Sequence, residues 1–143
     1  MTKNSCSLFT TIFLRLPAPL IMVTITILSS RSALPDVPVY FPGIDKVFHF
    51  IVFAALAFSI GLWFSLKSHL HRPWRVFLIC AAVASVFGAV DELHQYFVPY
   101  RDSDIWDWVA DTLGGMAGAA AVLAASRIWV RIQESKMKKT GGV

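Results

Sequence analysis

Charge is scarce in this sequence. Asp, Glu, Lys and Arg make up 15% of the 143 residues and hydrophobic residues 56%, against about 25% and 45–50% in soluble domains. A soluble domain of this size has too little interior to hide so much apolar surface. Cysteine is nearly absent as well. Cys6 and Cys80 alone exclude a disulfide framework or a cysteine-based metal site, and Cys80 reads as a small apolar residue in a helix. Period-two alternation is missing from the apolar runs, which removes a membrane β-barrel. There is no internal repeat, no low-complexity tract and no established metal or nucleophile motif.

What is present is four long apolar runs, at roughly 8–30, 47–66, 76–98 and 105–128. Each approaches the roughly 20 residues that a helix needs to cross hydrocarbon. Hydrocarbon offers no partner to a backbone amide, so such runs must be helical. The expected fold is all-α: an integral membrane four-helix bundle occupying the whole chain as one domain. The first run is interrupted by Arg15 and contains Pro17 and Pro19. Its basic start and the small residues near Ser29–Ala33 also fit a cleavable signal peptide; a retained helix is the preferred reading.

The placement of charge gives an orientation. Of 13 Lys and Arg, only Arg31, Lys46 and Arg101 lie outside three basic places. Those places are the N-terminal part with Lys3 and Arg15, the loop Lys67–Arg75, and the tail from Arg127 to Lys139. The positive-inside rule then puts both termini and the middle loop in the cytoplasm, and four spans agree with that. The basic tail reads as a topology anchor on anionic lipid, and nucleic acid is not an expected partner. Between the first two runs, Pro35, Pro38, Pro42 and Gly43 predict a proline-rich outer loop. Trp63, Trp74, Trp106, Trp108 and Trp129 sit at the borders of the runs, where amphipathic rings favour headgroup depth.

The acids are distributed differently. Of nine Asp and Glu, only Glu134 lies on the cytoplasmic side. Asp91 and Glu92 fall about 9–10 Å inside the end of their helix, at 1.5 Å per residue, and Asp111 lies at a similar depth. Carboxylates that deep cost several kcal/mol unless they face a partner or a wet cavity. Helical spacing gives each a shared face: Asp45 with His49, Asp91 and Glu92 with Gln95, and Asp107 with Asp111. The last stripe continues into Gly114, Gly115 and Gly118, small residues that let a second helix approach closely. Asp45 and Asp104 also read as helix caps. Lys46 reads as a snorkelling or paired cation, and Arg101 as a counter-ion for Asp102 or Asp104. His69 and His71 belong to a wet loop, and His94 faces headgroups or a neighbouring helix.

Four pieces in order carry a resemblance: Asp45-Lys46-x-x-His49-Phe50, Glu92-x-x-Gln95, Pro99-x-Arg101, and Asp107-x-x-x-Asp111-x-x-Gly114. With them the sequence resembles the VanZ-like family of small membrane proteins over about Asp45–Ala120. That family commonly has Asn at the position of Asp111, so this chain carries an extra acid there. The family is named for a protein associated with resistance to the glycopeptide antibiotic teicoplanin. The resemblance implies a place in the cell envelope, in a bacterial inner or plasma membrane.

Three functions are open on this reading. One is a pocket for a lipid headgroup or lipid-linked cell-wall precursor, built from Asp45, Lys46, His49, Asp91, Glu92, Gln95, Arg101, Asp107 and Asp111. Another is an enzyme acting on such a lipid through the carboxylates and His49. The last is a structural ion-pair network. No cofactor is expected, although Glu92 and Asp107 have the chemistry to hold magnesium or calcium. Transport by a monomer lacks a polar path through the inner half; an oligomer would change that.

Overall fold

The computed structural model describes residues 12–32, 43–101 and 103–140. The start of the first run, the prolines at 35, 38 and 42, and Asp36 and Asp102 lie outside the described residues. Every regular element among the described residues is helical. We number them α1 (Pro17–Ser29), α2 (Ile44–Gly61), α3 (Leu66–His71), α4 (Pro73–Tyr96) and α5 (Ile105–Thr140). Four helical segments are long and apolar enough to cross a membrane: Ile12–Ser29, Ile44–Gly61, Pro73–Tyr96 and Ile105–Lys139.

Local chemistry sets the boundaries. Pro17 opens α1 and Pro73 opens α4 in first-turn positions, where no amide hydrogen is needed. Gly43 precedes α2 with φ +83°, a left-handed conformation that costs glycine little. Ser65 caps α3 by accepting a hydrogen bond from the Ser68 amide. In α1, Thr24 and Thr26 donate their hydroxyls to the carbonyls of Leu20 and Met22, which satisfies them within the helix.

The structure departs from the sequence expectation at two places. The loop at 67–75 contains most of the short helix α3. The last span does not stop near residue 128 but continues as one helix of 36 residues, about 54 Å at 1.5 Å per residue. No glycine or proline interrupts 119–140, so nothing in the backbone ends the helix when the apolar stretch does. The basic tail is therefore helical through Lys139.

The centre of the bundle is α5 against α2 and α4, with α1 at the side. Phe53, Leu56, Val76 and Val122 are fully buried there. Large apolar residues elsewhere point outward, among them Ile27, Val86 and Leu93, as expected of surfaces that meet lipid rather than water. Gly114 and Gly118 decide how closely α2 and α5 pack. A Cβ at Gly114 would strike the Phe50 carbonyl oxygen, and one at Gly118 the Ala54 carbonyl oxygen. Gly115 faces α4, where an added Cβ would lie 2.8 Å from Ala84 Cβ. Toward α2 the glycine stripe thus packs against backbone, which cannot rotate away.

Gly118→Ala is expected to destabilise the protein by about 1–3 kcal/mol. Met116→Ala, on the exposed side of the same helix, should stay within about 0.5 kcal/mol. Thermal unfolding of both variants in detergent checks the pair, and equal losses would contradict this packing.

Candidate functional site

Close approach of α2, α4 and α5 brings the polar residues together at one end of the bundle. From α2, Lys46 Nζ donates to Asp104 Oδ2 (2.7 Å), Asp45 Oδ2 (3.0 Å) and Asp107 Oδ1 (3.1 Å). One turn further in, His49 Nδ1 lies 2.9 Å from Asp111 Oδ1. A carboxylate oxygen accepts, so Nδ1 carries the hydrogen in this pair. Asp111 is fully buried and Asp107 nearly so, while Asp45 is exposed.

Asp91 and Glu92 are neighbours in sequence but serve different partners. Asp91 Oδ2 accepts from Ser29 of α1 and from Gln95, both at 2.9 Å. Glu92 Oε2 accepts from the Asp104 amide (2.9 Å) and the Ser103 hydroxyl (3.1 Å). Glu92 therefore ties the turn before α5 back onto α4. Asp104 in turn accepts from the Trp106 amide through Oδ1 (2.9 Å). It is both the cap that the sequence suggests and a partner of Lys46.

Three buried side-chain atoms have no hydrogen-bond partner among the described residues: Glu92 Oε1, Asp111 Oδ2 and Arg101 Nε. His49, Glu92 and Asp111 each offer a ligand atom within 4.8 Å of the others. Arg101 forms no ion pair with Asp104, whose cation is Lys46. It lines a pocket of about 170 Å³ together with the polar residues Ser29, His49, Asp91 and Gln95 and apolar residues that include Ile25, Val52 and Phe53.

All nine candidate residues thus fall in one region, with corrections in detail. Asp45 is not the cap of α2, a position held by Gly43; it is an exposed partner of Lys46. Asp107 is engaged by Lys46, and Asp111 rather than Asp107 stands with His49 and Glu92. Sequence reasoning misses Ser29 and Ser103, whose partners are distant or in an irregular turn. It also misses His69, which is buried away from this cluster, bonded to Ser126 Oγ (2.6 Å) and to the Gly61 carbonyl (3.0 Å). His94 meets Ser30 Oγ at 3.0 Å, just past the end of α1.

Four membrane-spanning helices with a buried polar cluster at one end define a multi-pass membrane protein. The pattern that defines the VanZ/LLP1 family matches residues 4–128, and the chain belongs to that family. No curated protein and no solved structure matches it.

Lys46 lowers the pKa of Asp104 through their hydrogen bond. A lowered folded-state pKa adds stability above the ordinary value of 3.8 and loses it as pH falls through the folded value. Acid unfolding of wild type below about pH 4 should therefore be steeper than that of Asp104→Asn. Asp45→Asn, at an exposed pair, should change stability by less than about 1 kcal/mol, and Lys46→Met should cost more; thermal melts at neutral pH compare them.

Proposed function

We propose that this protein binds the phosphate-bearing headgroup of a membrane lipid or lipid-linked envelope precursor in the pocket beside Arg101. The observation that carries this reading is Arg101, whose buried Nε has no hydrogen-bond partner among the described residues, in the lining of a pocket that combines polar and apolar side chains. A guanidinium presents a fixed fork of donors suited to phosphate oxygens. The apolar lining residues from α1 and α2, Ile25, Leu28, Phe48, Val52 and Phe53, suit the start of an acyl or prenyl chain. The distribution of Lys and Arg supports an extracytoplasmic position for this end of the bundle.

A purely structural network fits less well. Networks retained for stability satisfy their buried members, whereas three atoms here lack partners among the described residues. The enzyme reading draws its support from the same unpaired carboxylate oxygens beside His49.

Arg101→Ala should weaken binding of an anionic phospholipid about tenfold or more, as loss of a charge-assisted contact implies. Native mass spectrometry of the purified protein with added phosphatidylglycerol measures it. Equal lipid retention by wild type and a folded Arg101→Ala variant would refute the pocket.

A further inference from the structure

We propose that His49, Glu92 and Asp111 form a binding site for a divalent transition-metal ion. The three residues come from α2, α4 and α5, and one ligand atom of each lies within 4.8 Å of the others. Two independent features point to a ligand. Asp111 is fully buried and Glu92 is 7% exposed, yet Oδ2 of the first and Oε1 of the second have no partner among the described residues. Each has its other oxygen fixed, Asp111 by His49 and Glu92 by Ser103 and the Asp104 amide. The carboxylates are thus oriented while one lone-pair-bearing oxygen of each is left over.

Space and charge agree. A Cβ at Gly88, one turn before Glu92, would lie 2.7 Å from Asp111 Oδ2, so only glycine leaves this carboxylate its position. The cluster holds six described carboxylates (Asp45, Asp91, Glu92, Asp104, Asp107, Asp111) against two permanent cations, Lys46 and Arg101. Lys46 is occupied by Asp45, Asp104 and Asp107. Among the described residues this leaves Asp91, Glu92 and Asp111 without an ion pair to a permanent cation, and of these Asp91 is satisfied by Ser29 and Gln95. A divalent ion supplies the missing charge in a region where unbalanced carboxylates are costly. One imidazole with two carboxylates suits manganese or zinc better than calcium, which prefers oxygen alone.

The test uses the full chain in detergent, stripped with chelator and titrated with Mn²⁺, Zn²⁺ or Co²⁺ alone. About one ion per chain is expected, with Co²⁺ giving a visible ligand-field spectrum. Glu92→Gln and Asp111→Asn should each weaken binding at least about tenfold, while Arg101→Ala, outside the three ligands, should bind as wild type does. That last arm separates this site from the lipid pocket. The inference is overturned if wild type shows no saturable binding tighter than about 100 μM, or if both folded carboxamide variants bind like wild type. It is equally overturned if infrared spectra show a carboxylic acid band that is lost in Glu92→Gln and unaffected by metal, since a shared proton then balances the pair.

Discussion

Carboxylates placed within the hydrocarbon depth of a membrane have to be answered by other groups of the same protein. Water cannot reach them in quantity, and lipid tails offer nothing to bond. In this bundle the constraint accounts for the inward turn of the acids on α4 and α5 at their polar ends. It accounts as well for the position of Lys46, which gathers Asp45, Asp104 and Asp107 around one ammonium.

The same constraint depends on glycine some distance away. Gly114 and Gly118 bring the backbone of α5 against that of α2, and Gly88 leaves room for Asp111 beside α4. Only with those approaches can His49 reach Asp111 and Lys46 reach Asp107. Packing in the apolar half and electrostatics in the polar half are therefore one problem, since the spacing of the helices is set in one and used in the other.

Much of this is legible in the residues. Four apolar runs give the number of spans, and three-and-four spacing groups the acids on shared faces. The glycine stripe points to close packing because it continues the acidic one. Pairings are not legible, since periodicity places a residue on a face without saying what lies opposite. So Asp91 and Glu92, adjacent on α4, cannot be separated by spacing into a partner of α1 and a partner of the turn before α5. Nor can His69 be lifted out of its loop, because its partners Gly61 and Ser126 belong to other elements. The end of α5 escapes the sequence for a simpler reason: hydropathy marks where lipid stops, not where a helix does.

Chain order gives the Lys46 cluster a further consequence. Synthesis runs from the N-terminus, so α2 emerges with Lys46 and His49 before α4 and α5 bring Asp91, Glu92, Asp107 and Asp111. During biogenesis the two basic groups are the ones that wait, and the acidic hairpin arrives to partners already made.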